Sequence, residues 1–188
     1  MSLPTRTKAS LLTVSAAALA ATLAYEGFSS KPYIPTKGDV PTIGYGTTVY
    51  PDGTKVKLTD PPISRKKAAE YASAHVSQEE LAFRASIADV PLTQDEYDLY
   101  LDFVYQYGMG WWLVSSMRKN LLAVLKTTDE AAQNALYRAA CEALLLYKRQ
   151  AGRDCSNPNN WGTQGCKGVW TRQQERRQKC LKTGGFAP

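Results

Sequence analysis

The chain has 188 residues, a net charge of +6, and 44% hydrophobic against 21% charged residues. That balance excludes wholesale disorder and leaves ample length for a buried core. A basic surface favours anionic polymers, whether nucleic acid, lipid headgroups or cell wall, and does not choose among them. The basic residues mix with acids and are densest from Arg172 to Lys182, where Glu175 is the one acid, and no nucleic-acid motif accompanies that run, so nucleic acid is not expected as a partner.

The first eight residues carry Arg6 and Lys8 and no acid, and Ala9 to Ala24 then carries no charge at all. A positive flank before an apolar run is the pattern of an export signal. The run falls short of the roughly 20 residues that span a bilayer comfortably, and Ser10, Thr13, Ser15 and Thr22 dilute it further. Lipid would hold such a helix weakly. Glu26 follows it directly, and Gly27 favours ending the helix there. Cleavage inside the apolar run would remove the helix that presents Glu26, so the segment is read as uncleaved and continuous with the first helix of the body, with a cleaved signal and an ordinary core helix of a cytosolic protein as the alternatives.

Glu26 is the candidate proton donor. Apolar neighbours disfavour a charged carboxylate and raise its pKa, as a donor near neutral pH requires. Sixteen residues on, Thr42 opens Thr42-Ile43-Gly44-Tyr45-Gly46-Thr47-Thr48, whose glycines permit positive φ and a tight hairpin. Asp39 offers a second carboxylate from the intervening loop. Strands are expected at Thr42–Thr48 and Lys55–Leu58, around an Asp52-Gly53 turn. Ser64 suits the N-cap of a helix running from Arg65 to about Ile87. Thr93 and Glu96 have the spacing of a capping box, and Tyr97, Leu101, Val104 and Tyr105 recur at helical intervals behind them. Gly108 and Gly110 stop that helix before Trp111-Trp112 and Ser115. A long Ala- and Leu-rich helix is expected from Asp129 to Arg149, then a loop from Gly152 to Gly168. The last helix is expected to be capped by Thr171 with Gln174, with Arg172 and Glu175 in ion-pair register.

Four cysteines, Cys141, Cys155, Cys166 and Cys180, fall in the C-terminal quarter with no C-x-x-C spacing, and the chain has one histidine. No metal site is expected. An even count fits two disulfides in an oxidising compartment. Of three possible pairings, Cys155–Cys166 would close the loop and Cys141–Cys180 would tie two helices. These are the favoured pair, with the other connectivities and four reduced thiols left open.

The Glu26-Gly27 pair, Pro32-Tyr33 and Thr42-Ile43-Gly44-Tyr45-Gly46-Thr47 resemble the phage-type lysozymes, the family-24 glycoside hydrolases. The run from Leu92 to Gly108 resembles that family's central helix, and Gly168 to Arg177 resembles its closing signature. The resemblance implies an α+β, lysozyme-like fold: a small β-hairpin lobe, a larger helical lobe, and an active-site cleft between them. It implies residues 1–24 as a signal-anchor-like segment and 25–188 as one catalytic domain. It also implies hydrolysis of the β-1,4 link between N-acetylmuramic acid and N-acetylglucosamine, by Glu26, an Asp and Thr42, with no cofactor. The family's Asp falls at Pro35, which has no side-chain oxygen, and Asp39 is the candidate replacement. Tyr33, Trp111, Trp112 and Ser115 are the candidate substrate-binding residues, with core packing as the competing role of the two tryptophans. The N-terminal run resembles the signal-anchor-release segments of some phage endolysins. That implies a monomer tethered transiently to the inner membrane and acting on peptidoglycan in the periplasm of an infected host. A wall-binding scaffold of the same fold with impaired catalysis is the alternative, and a lytic transglycosylase is a further rival.

Overall fold

The structure is a computed structural model, and it describes residues 4–19, 27–36, 38–162 and 165–186, with the side chains of 75–78 left aside. Contacts divide the chain into two units. One is Val14–Phe83, and the other joins the N-terminal arm up to Thr13 with the chain from Arg84 onward.

The Val14–Phe83 unit contains an antiparallel pair, β2 (Ser29–Tyr33) against β3 (Thr42–Gly44), with Tyr33 opposite Thr42 and a register shift along β2. Pro32 lies within β2, where the irregular register tolerates a residue without a donor. Beyond β3 the ladder shrinks to single bridges, Ile43 with Thr47 and Val49 with Lys55. The long strands expected at Thr42–Thr48 and Lys55–Leu58 are therefore not formed. Gly44, Gly46 and Gly53 all have positive φ and turn the chain within a few residues of each start. At Gly44 a side chain is also excluded by packing: a Cβ there would lie 2.9 Å from Ala68 Cβ on α1 (Arg65–Ser86). Ser64 caps α1 as expected, accepting from Lys67 N–H at 3.2 Å, and Ile63 N–H donates to Ser30 C=O at 2.8 Å. The last residues of α1 belong to the helical unit.

The helical unit begins with β1 (Thr7–Lys8), paired antiparallel to β4 (Pro91–Leu92). Ala9–Leu11 then makes a 3-10 turn and Leu12 is extended. A single helix from Ala9 is thus corrected. The Ala9 and Ser10 N–H groups donate to Val90 and Ala88 C=O, which commits this backbone to a neighbouring loop instead of to a helical ladder. Residues 16–19 are helical, and Ser15 supplies their cap, its Oγ accepting from Ala18 N–H at 3.1 Å. Among the described residues no helix is long and apolar enough to cross a membrane.

The remaining helices are α2 (Gln94–Val114), α3 (Ser116–Val124), α4 (Glu130–Glu142) and α5 (Lys167–Thr183). Both halves of the Thr93/Glu96 capping box form. Tyr97, Tyr100, Phe103 and Trp112 of α2, Met117 and Leu121 of α3, and Leu144 form the core of this unit. Gly108 (φ 81°, ψ 159°) breaks α2 internally, and the chain resumes a helical turn through Gly110 to Val114.

The helix expected to reach Arg149 ends at Glu142. A 3-10 turn over Ala143–Leu146 follows, then a small hairpin of β5 (Arg149–Gln150) and β6 (Arg153–Asp154). The run Ala143-Leu144-Leu145-Leu146 has no helical period to extend. The 3-10 winding buries Leu144 while Leu146 stays exposed. The closing helix starts at Lys167, four residues before the expected cap. Its N-cap is Cys166, whose disulfide to Cys155 fixes the entry of the chain without a side-chain cap. Arg172, expected to pair with Glu175, donates to Asp102 at 2.8 Å.

Candidate active site

The hairpin places three of the candidate residues together on one short element. Thr42 opens β3 and is 5% exposed, and its hydroxyl donates to Val40 C=O at 3.1 Å. The hydroxyl hydrogen is thereby committed, and the oxygen keeps its lone pairs for an incoming donor such as water. Tyr33 lies opposite Thr42 in the ladder, with its ring about two-fifths exposed. Asp39 closes a tight turn, its N–H donating to Thr36 C=O at 2.9 Å beside Gly38 at φ 91°. Its carboxylate is exposed and accepts from Val40 N–H at 3.3 Å. Val40 therefore links the two: its carbonyl holds Thr42 and its amide faces Asp39. Pro35 is exposed in the same loop and contributes no acceptor from its side chain. Glu26 lies outside the described residues.

Behind β3, the Ile43–Thr47 bridge makes two bonds of 2.9 and 3.0 Å across the Gly44-Tyr45-Gly46 turn. Phe28 packs on Tyr45, ring centroids 5.5 Å apart, and the Arg65 guanidinium lies 4.4 Å from the Phe28 ring. These contacts fix the base of the hairpin to the start of α1.

A concavity of about 530 Å3 in the same unit, among Tyr50, Asp52, Asp60, Lys67, Glu70 and Tyr71, carried no sequence signal. Tyr50 donates to Asp60 at 2.9 Å, and burial together with that carboxylate pushes its hydroxyl up to about 12. The Lys57 amide and the Tyr50 hydroxyl in turn hold Asp60 below the usual carboxylate range. Tyr50 with Asp60, Asp52 with Thr54 and Lys67 with Glu70 pair there within ten residues of each other along the chain, which describes a braced turn.

The other candidates belong to the helical unit. Trp111 is 61% exposed, whereas Trp112 is 0% exposed. The Trp112 Nε1–H donates to Ser86 Oγ at 2.8 Å, and its ring meets Tyr100 and Phe103. A ring with no open face cannot stack on a sugar, so Trp112 is corrected to a core residue. Ser115 is likewise corrected. It is 1% exposed and caps α3, accepting from Arg118 N–H at 3.0 Å. Neighbours on a helix point about 100° apart, and the turn that resumes after Gly108 is phased with Trp112 inward and Trp111 outward.

The structure pairs Cys141 with Cys180 and Cys155 with Cys166, with Cα separations of 5.5 and 5.1 Å. Inside the smaller loop Trp161 Nε1–H donates to Cys155 C=O and Asn160 donates to Asp154 C=O, both at 2.8 Å. Among the described residues no group of His, Cys, Asp and Glu is arranged to hold a metal ion.

Helices carrying a small antiparallel hairpin of this kind define a lysozyme-like α+β fold, and solved structures share it. The endolysin from Escherichia coli O157:H7 phage FAHEc1 superposes with a TM-score of 0.67 at 22% identity, over 92% of this chain and 96% of that one. A mutant of P22 lysozyme superposes with a TM-score of 0.66 at 24% identity, over 91% and 99%. The sequence model of the family described as Phage lysozyme matches residues 23–175. The endolysin of Salmonella phage P22 is 32% identical over 129 residues, 69% of this chain and 78% of that protein. The chain belongs to the phage lysozyme family.

Proposed function

We propose that this chain is an endolysin that hydrolyses the β-1,4 link between N-acetylmuramic acid and N-acetylglucosamine in bacterial peptidoglycan. Membership of the phage lysozyme family over residues 23–175 is the observation that carries this reading. Glu26 protonates the glycosidic oxygen as the bond breaks. Thr42, its hydrogen held by Val40, accepts a hydrogen bond from the attacking water. Asp39, on the turn before it, takes the proton that water releases. An inverting arrangement of this kind keeps its carboxyl groups roughly 6.5–9.5 Å apart, leaving room for the water. Tyr33 and Trp111 are the candidate aromatics with open faces, and they bind sugar rings by stacking. Trp112 and Ser115 serve by fixing the turn that carries Trp111.

The site of action is the periplasm of the infected host, where the protein works as a monomer without a cofactor. Arg6, Lys8 and the uncharged run Ala9–Ala24 first hold the chain at the inner membrane, and the run later leaves the lipid. What supports this is the weak apolarity of the run together with its position directly ahead of Glu26.

Replacing Glu26 by Gln should lower the release of reducing ends from purified walls by roughly 100-fold or more while leaving the unfolding midpoint unchanged. Retained hydrolysis would reject Glu26 as the acid. Asp39→Asn tests the second carboxylate separately, and undiminished activity would leave the water to Thr42 alone. The exposed Pro35, where the family has its Asp, is the observation that favours the scaffold alternative. Protein that pellets with walls and releases no fragments would establish that alternative. Products ending in 1,6-anhydro sugars would establish a transglycosylase.

A further inference from the structure

Residues 6–13 are laid along the helical unit by an unbroken run of bonds. Arg6 sends Nη2 and Nε to the two oxygens of Glu96 at 2.7 and 3.0 Å. This pair is nearly sealed from water, the two side chains being 9% and 2% exposed. The guanidinium also lies 4.0 Å from the Tyr137 ring centroid and 5.7 Å from that of Phe186, and it reaches Gly184 C=O at 3.3 Å. Thr7–Lys8 then pairs with Pro91–Leu92, and Ala9 and Ser10 donate to Val90 and Ala88 C=O at 2.9 Å each. Arg84 and Gln94 donate to Leu12 and Thr13 C=O at 3.3 and 2.8 Å.

A buried ion pair adds little net stability, because desolvation offsets its attraction, yet removing one partner is severe. Such a pair sets register better than it glues. Glu96 needs no arginine to cap α2, since the Thr93 amide already donates to it at 2.9 Å. The Arg6 contact is therefore additional to what the helix requires. The Cys141–Cys180 bridge braces two sides of the Arg6 seat. Tyr137 lies one turn before Cys141 on α4, and Gly184 N–H donates to Cys180 C=O at 2.9 Å. The seat can thus be assembled by oxidation before the arm arrives.

Arg6 cannot flank a membrane-inserted run and occupy this seat at once. We propose that residues 84–96, with Tyr137 and Gly184, form a docking surface for this chain's own N-terminal arm, filled after Ala9–Ala24 leaves the membrane and locked by Arg6. The inference rests on the signal-anchor reading given above. The arm is a strap that retains the released form, and Arg6 is its buckle. Once seated, Arg6 is withdrawn from the lipid surface, while Lys8 stays exposed beside Asp89.

The test uses the full-length chain as wild type, Arg6→Lys and Glu96→Gln. Lysine keeps the charge that flanks the apolar run but loses the bidentate fork and the ring stacking. Glutamine keeps the capping acceptor but removes the charge. Membrane and soluble fractions are followed over time after induction, and amide exchange is read in the soluble protein. All three should insert equally. Both variants should accumulate in the soluble fraction several-fold more slowly, with exchange at Ala9 and Ser10 faster by roughly tenfold and interior amides of α2 and α5 unchanged. Variants that leave the membrane at the wild-type rate with unchanged exchange would overturn the lock while leaving the tether intact. Wild type that never enters the membrane fraction would remove the tethered state and this proposal with it. A concentration-dependent dimer that exchanges its arms would overturn the intramolecular strap.

Discussion

The hairpin region from Ser29 to Asp60 and the helical region from Gln94 onward are held by polar bonds of different reach. In the hairpin the partners are near neighbours: Thr42 with Val40, Asp52 with Thr54, Lys57 with Asp60, and Tyr50 with Asp60 ten residues on. In the helical region arginines reach partners 35 to 74 positions back along the chain. Arg172 and Arg176 of α5 both meet Asp102 of α2, Arg176 also bonds Gln106 at 2.6 Å, and Arg177 bonds Glu142 of α4. Disulfides and a stack of Phe103, Tyr107 and Tyr147 add further long-range ties. Local bonds can reform one turn at a time and shape a loop around a water. Long-range bonds make or break together and keep a platform rigid. The residues assigned to the water lie in the first kind of region, and the groups that brace Trp111 lie in the second.

The largest effect should come from Asp102→Ala. It strands Arg176, whose side chain is 6% exposed, and should cost about 3–5 kcal/mol in urea unfolding. A loss under about 1 kcal/mol would mean that apolar packing alone joins α5 to α2. Replacing Cys141 and Cys180 together by Ala should cost roughly 2–4 kcal/mol. The Cys155–Cys166 pair, closing 11 residues against 39, should cost less, and equal losses would deny that loop length sets the scale. Gly44→Ala meets both a positive φ of 68° and the Ala68 side chain, and should cost roughly 1–3 kcal/mol. Its signature should be local: hydrolysis falls with the displaced Thr42 while amide protection in α2 and α5 stays unchanged. Loss of protection throughout would merge the two regions into one cooperative block.

The smallest effect should be an acid one at the β5–β6 hairpin. The Ser156 hydroxyl, Lys148 and the Ser156 amide bring the Asp154 carboxyl from its ordinary 3.8 down to about 2. A carboxyl depressed on folding contributes fully above its unfolded value and loses that contribution as pH falls toward the folded one. The hairpin should therefore loosen between pH 4 and about 2, with screening keeping the effect modest at an exposed site. Proton NMR shifts of Ser156 check this, and Asp154→Asn should abolish the transition.

The same difference in reach decides how much of the molecule could be read from residues alone. The Gly44 and Gly46 turns, the Ser64 cap and the Thr93/Glu96 box are short-range, and each stands where the sequence places it. The capping signal at Thr171 was genuine chemistry but lost to a disulfide that begins the helix at Lys167. Arg6 reads as a topogenic charge, and nothing near it in sequence announces Glu96, 90 positions away. Trp111 and Trp112 are indistinguishable in sequence; the phase of the helical turn after Gly108 assigns one to solvent and one to the core. Near the candidate site, the turn that follows Thr42 is legible from its glycines, Gly44 and Gly46. The setting of Asp39 is not, because a carboxylate in a loop declares neither its partner nor its direction.

The opposite fates of the two adjacent tryptophans give the protein an optical readout of its own. Trp111 is open to a collisional quencher and Trp112 is shielded from it, so their emission should separate under iodide or acrylamide. A ligand lying on Trp111 would shade that indole and leave its neighbour's signal as an internal reference. With the other two indoles, Trp161 and Trp170, replaced by phenylalanine, occupancy at this one position could then be followed by fluorescence without a label.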